Sequence, residues 1–126
     1  MTTPTQRSLA LLREQGWQVA IVEHWNPHAR IRQDLYGFGD ILACHPSRGD
    51  GLTHWRSIRI IQTTSGSNVS ARLAKILAEP RAKVWMESGG EIEVHGWAKR
   101  GPRGKAKHWE CRTEHITLDM FNKEIK

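Results

Sequence analysis

The chain opens with apolar residues at helical spacing. Leu9 and Leu12, with Ala10 and Leu11 beside them, give a core face to residues 4–15. Thr3, Pro4 and Gln6 supply an N-cap, a proline at the first helical position and a capping-box partner. Gly16 suits the left-handed residue that closes such a helix, with Trp17 as its apolar contact. The pattern then becomes strand-like. Residues 17–25 are rich in β-branched and aromatic types and are stopped by Asn26-Pro27; a polar, basic stretch runs from His28 to Asp34. Residues 35–44 and 55–63 read as the second and third strands, separated by a turn at 45–51. Ser65 to Asn68 cap a second helix whose apolar stripe is Val69, Leu73, Ile76 and Leu77, and Pro80 ends it. Lys83 to Met86 reads as a short buried strand and Ser88-Gly89-Gly90 as a hairpin turn. Residues 91–97 and 107–118 form two more strands around a charged loop, and a short helix or frayed end follows Asp119. The order α-β-β-β-α-β plus a terminal β-hairpin predicts an α/β fold, a mixed sheet with helices against it.

A chain of 126 residues suggests a single domain spanning 1–126. Lys and Arg outnumber Asp and Glu 19 to 13, which favours a polyanionic partner, because basic side chains neutralise phosphates and release their counterions. Cys44 and Cys111 lack metal-ligand spacing, the usage of a reduced, cytoplasmic compartment. No signal-peptide pattern opens the chain, and no apolar run approaches the ~20 residues of a membrane span. No membrane partner is therefore expected.

Asp40 is the most informative residue. It lies in Phe38-Gly39-Asp40-Ile41-Leu42-Ala43-Cys44, an otherwise apolar run, where a carboxylate is costly unless paired or bound to a metal. An Asp bonding a turn beside Gly39 is the plainer alternative. Gln62 ends the apolar run of the third strand just before Thr63-Thr64-Ser65-Gly66. Asp40, the side-chain oxygen of Gln62 and the main-chain carbonyl of Thr63 would suit a hard cation, Mg²⁺ or Mn²⁺.

With these residues the chain resembles the PD-(D/E)XK nuclease superfamily, the restriction-endonuclease-like fold. Gly39-Asp40-Ile41-Leu42-Ala43 is similar to the family's first element and Ile60-Ile61-Gln62-Thr63-Thr64 to its second, with the helix over 68–78 in the family's place. The resemblance covers residues 4–97 and extends to small Holliday-junction-resolvase-like and Mrr-like members. It implies a metal-dependent DNA endonuclease of the resolvase or repair type, a homodimer acting on branched or damaged DNA. Asp40, Gln62 and Glu23 would be its catalytic residues. Thr64 stands where the family has lysine. Lys75 and Arg72 are candidate replacements, yet their place on the polar face of the second helix predicts that they point away from Asp40; Lys83 is another candidate. Glu23 shares a strand face with Trp17, Val19, Ile21 and Trp25, an odd place for a carboxylate, and reads either as an extra acid or as a solvated strand-end residue. Asp34 reads either as a second acid or, preferably, as a turn cap.

Ser65, Ser67 and Asn68 at the second helix start either hold a phosphate or simply cap the helix. The loop 98–107 carries Lys99, Arg100, Arg103, Lys105 and Lys107, suited to backbone phosphates or to a solvated hairpin tip. Arg30, Arg32, Arg56 and Arg59 would extend that surface. Trp25, Trp55, Trp97 and Trp109 are candidates for base stacking, although core packing is the commoner use of tryptophan. The histidines form no zinc pattern. A catalytically inactive DNA-binding module of the same fold is the main alternative, and RNA remains open as a ligand. Neutralising Lys99, Arg100, Arg103, Lys105 and Lys107 together is expected to flatten the salt dependence of DNA affinity. A binding titration across salt checks this, and an unchanged slope removes the loop as a phosphate contact.

Overall fold

The computed structural model describes residues 2–45, 58–101 and 107–122. Trp55, Arg56, Arg103, Lys105, the start of the predicted third strand and most of the turn at 45–51 lie outside them. The first helix, α1 (Pro4–Glu14), forms for the reasons its sequence supplies. Thr3 and Gln6 close a reciprocal capping box, and Gly16 at φ 92° lets Gly16 N–H reach the Arg13 carbonyl and Trp17 N–H reach that of Leu12. Strand β1 (Gln18–Ile21) follows, then β2 (His24–Asn26) and β3 (Ile31–Gln33), which pair with each other in a separate ribbon. Next come β4 (Ile41–Cys44), β5 (Ile58–Ser65), a short 3₁₀ turn at Gly66–Asn68, α2 (Val69–Leu77), α3 (Pro80–Glu87), β6 (Glu91–Arg100) and β7 (His108–His115).

The chain is an α/β protein with a mixed five-stranded sheet in the order β1-β4-β5-β6-β7. Only β5 and β6 run parallel, and the α2–α3 segment makes the crossover such a pair requires. Successive strand residues face opposite ways, so Ile60 and Ile61 serve two cores. Ile60 joins Phe38, Val69, Ile76, Met86 and Ile92 beneath α2 and α3, while Ile61 joins Leu9, Leu12, Trp17 and Ile41 beneath α1.

Three predicted elements differ. The strand over 17–25 ends at Ile21, because its partner β4 begins only at Ile41; one further bond, Val22 N–H to the Asp40 carbonyl, closes the ladder. Residues 35–39 are a tight turn, with Tyr36 and Gly37 both at positive φ and the Leu35 carbonyl accepting from Phe38 and Gly39. The strand predicted at 83–86 is helical. Pro80 ends α2 but also starts α3, with Glu79 capping the Arg81 N–H and Ala82 and Met86 buried one helical turn apart. The residues at 88–90 accordingly close a helix rather than a hairpin: Gly89 and Gly90 bond back to the Met86 and Trp85 carbonyls.

A buried polar chain fastens α1 to the sheet. Ser8 Oγ accepts from Trp97 Nε1 at 2.8 Å and lies 2.8 Å from His95 Nδ1. His95 Nε2 lies 3.0 Å from Glu93 Oε1, and Glu93 Oε2 meets Arg59 Nη1 at 2.7 Å and His115 Nε2 at 3.1 Å. Arg59 also pairs with Glu91 at 2.6 Å and stacks over Trp17, so it is internal structure and no part of a basic surface. Burial alone would push the His95 imidazolium down, but the Cys111 sulfur and the Glu93 carboxylate raise it to about 9. Burial would likewise raise Glu93, yet His95, Arg59 and His115 hold it below the ordinary range.

Glu93→Gln strands Arg59 and His95 without their shared counter-charge and is expected to cost roughly 3–5 kcal/mol in urea denaturation. The charge on His95 stabilises the fold fully below its ordinary value of 6.5, and this contribution is lost as pH rises through about 9. Wild-type protein should therefore lose stability across that interval, and His95→Gln should lose less.

Candidate metal centre

Asp40 sits just before β4, directed there by the tight turn at 35–39 and by its N–H bond to the Ile61 carbonyl at 3.0 Å. Its side chain is buried, and one oxygen is heavily committed. Oδ2 accepts from Thr63 N–H at 2.8 Å, Thr63 Oγ1 at 3.1 Å and Gln62 Nε2 at 2.9 Å. Thr63 Oγ1 in turn lies 2.8 Å from Thr5 Oγ1 on α1. Oδ1 takes no hydrogen bond among the described residues.

Two further carboxylates approach Asp40. Glu23 and Asp34, both half-buried, each place an oxygen so that the three groups lie within 4.8 Å of one another. Glu23 immediately precedes β2 and Asp34 immediately follows β3, so the ribbon delivers both acids from its two ends. The ribbon closes through Asn26, whose side-chain oxygen accepts from His28 N–H at 2.9 Å and Ala29 N–H at 3.1 Å, with Arg30 left-handed at φ 58°. Glu23 and Asp34 therefore stand at the two ends of the ribbon with their carboxylates near that of Asp40. Burial pushes Asp40 up to about 7; the Thr63 N–H opposes this, and the charges of Asp34 and Glu23 raise it further.

Gln62 meets Asp40 through its amide nitrogen, the reverse of the oxygen-toward-cation arrangement expected from the sequence. Its Oε1 is buried without a hydrogen-bond partner. A half-turn of the amide exchanges the two atoms and presents that oxygen to Asp40's side. The Thr63 N–H points to the β4 edge of β5, and in an extended strand a residue's carbonyl leaves on the same edge. Glu23, Asp34 and Asp40 thus form an oxygen-rich donor set of the kind hard divalent cations take, and the Thr63 carbonyl leaves β5 on the β4 side.

Thr64 is buried on β5 and brings no positive charge. Lys75 lines a cleft of about 440 Å³ with Asp34, His24, Arg32, Gln33, Gly37 and Arg81, a cleft that Asp40 does not line. Arg72 does not line that cleft, and Lys83 lies on α3 rather than on a strand. Ser65, Ser67 and Asn68 form no side-chain cap on α2; Ser65 and Ser67 instead approach each other at 3.3 Å. They belong to the end of the sheet where Gly66 packs against Ala98 near Arg100. Lys99, Arg100 and Lys107 are exposed there, while Arg30 and Arg32 are exposed on the ribbon. Trp97 is tied to Ser8, and Trp109 is covered by Arg7 at 3.7 Å and approached by Lys99 at 5.7 Å.

No family model, curated protein or solved structure matches this chain, so the chemistry of the site rests on its own geometry. Among the described residues no helix is long and apolar enough to cross a membrane.

Burial of Asp40, with the neighbouring charges of Asp34 and Glu23 adding to it, destabilises the fold once Asp40 ionises. Its raised value means that the favourable, protonated state is lost as pH rises through about 7. Asp40→Asn is therefore expected to be more stable than wild type at pH 8 by about 1–3 kcal/mol, with the gain gone at pH 4. Denaturation curves at the two pH values measure this, and equal curves at pH 8 would show that the acids do not repel.

Proposed function

We propose that the chain is a metal-dependent endonuclease that hydrolyses phosphodiester bonds in DNA, of the resolvase or repair type. The observation that carries this reading is the gathering of Glu23, Asp34 and Asp40 at one end of β4, with their oxygens within 4.8 Å of one another. The arrangement of elements supports it. A helix, two antiparallel strand pairings, a crossover through α2–α3 and a parallel return strand are compatible with the plan that the sequence resembles. The two sequence elements of that resemblance fall at β4 and β5, while β6 takes the place of the return strand expected at 83–86 and pairs with β7.

Glu23, Asp34, Asp40 and the Thr63 carbonyl would hold Mg²⁺ or Mn²⁺, with Gln62 contributing its oxygen once the amide turns. A cation bound there supplies a Lewis acid that polarises a phosphodiester and lowers the pKa of water. The protein's own part is positional. Thr63 holds Oδ2 of Asp40 through its N–H and its hydroxyl, and Arg32 and Lys75 offer positive charge in the adjoining cleft. A two-fold dimer would set two such sites against two strands.

Thr64 favours a second reading, a nuclease-fold DNA-binding module without catalysis. A buried hydroxyl at that position neither activates water nor neutralises developing charge as an ammonium does. Incubating the protein with linear, nicked and four-way-junction DNA separates the two. Cleavage with Mg²⁺ or Mn²⁺, absent with chelator and reduced at least about 100-fold in Asp40→Ala, is the expected result. Tight, metal-independent binding with no cutting establishes the module instead.

A further inference from the structure

We infer that the β2–β3 ribbon is a recognition arm for an unpaired base, seating a nucleic-acid strand in the cleft beside Asp34. Five of the six tryptophans lie within the described residues, and four of these have partners in the fold. Trp17 is buried under Arg59, Trp85 donates to the Glu91 carbonyl at 2.8 Å, Trp97 donates to Ser8, and Trp109, itself 42% exposed, lies beneath Arg7. Trp25 differs. It is 55% exposed on β2 and meets no hydrogen-bonding or cationic partner among the described residues. An indole left open to water on a ribbon of three residue pairs contributes little to a core.

The surroundings point to a ligand with a flat face and a phosphate. Trp25 stands directly across from Arg32, so the two side chains share one face of the ribbon. Arg32 also lines the cleft, together with Lys75 and Arg81. Of these cations Arg81 is paired with Glu79, whereas Arg32 and Lys75 have no anionic partner among the described residues. Arg30 adds exposed charge at the ribbon's turn. Aromatic faces interleaved with unpaired cations are the means by which proteins hold single-stranded nucleic acid: bases stack while the cations follow the backbone. A base inside a regular duplex offers no free face, so this arm selects DNA with an unpaired base near the site of reaction. Asp34 joins the two features, since it lines the cleft and belongs to the acid cluster. The inference rests on the nucleic-acid reading above but requires no catalysis.

The test is fluorescence polarisation in chelator, with labelled single-stranded oligonucleotide, a forked duplex carrying unpaired bases and a blunt duplex. Trp25→Ala should weaken binding to the first two by about fivefold or more and to the blunt duplex by less than about twofold, and Trp25→Phe should keep most of the affinity. Arg32→Ala and Lys75→Ala should weaken all three ligands and lower the salt slope by about one each. Equal binding by wild type and Trp25→Ala, an equal loss on blunt duplex, or no binding of any ligand by wild type overturns the inference. So does a Trp25→Ala change in oligomeric state without a change in affinity, which would make the ribbon a contact between copies. Selective loss on unpaired ligands without metal-dependent cleavage leaves the arm standing and removes the nuclease; cleavage unaffected by Trp25→Ala does the reverse.

Discussion

Asp40 Oδ2 receives three donors from two consecutive residues of β5, and nearly every feature of the site follows from that anchorage. A buried carboxylate survives only where hydrogen bonds replace the water it has lost. Here the replacement is one-sided. One oxygen is saturated by Thr63 and Gln62, and the other takes no hydrogen bond among the described residues. The anchorage also reaches through Thr63 to Thr5, so α1, β4 and β5 are joined at a single acidic group. Removing any of these partners would free the carboxylate to turn away from Glu23 and Asp34.

The rest of the fold holds this end of the sheet steady while keeping it open. Phe38, fully buried under α2 and α3, pins the turn that aims Asp40. On the opposite face, Ser8, His95, Glu93 and Arg59 form a charged chain inside the protein, where complete pairing makes burial tolerable. The contrast between the two polar clusters is informative. In the one around Glu93, anion and cations balance. In the one around Asp40, three acids meet and none of them forms an ion pair among the described residues, and imbalance of that kind is what an external cation would correct.

How much of this was legible before the structure depends on whether the controlling signal is local. Helix α1 was readable because Thr3, Pro4, Gln6 and Gly16 each act within one turn. The polar chemistry at the start of β4 and within β5 was readable in part, since Asp40 and Gln62 interrupt apolar runs. Helix α3 was not, because Pro80 stops one helix and starts the next, and only Glu79's cap tells the two roles apart. The ribbon was hidden for a different reason. Strand propensity continues unbroken from Trp17 to Trp25, and where β1 ends is decided by where its partner β4 begins. Asp34 was undervalued for the same cause. Its proximity to Asp40 comes from the chain doubling back at Asn26, and a carboxylate in a basic stretch carries no local mark of that.

Glu23 and Asp34 are separated by ten residues and are brought together by only three backbone pairs, with no buried apolar side chain in the ribbon. Such a segment opens at far lower free energy than the sheet it leaves. Zipping of the ribbon and convergence of the acids are consequently one thermodynamic event. Whatever draws the carboxylates together stiffens the segment, and whatever stiffens the segment draws them together by the same amount of free energy.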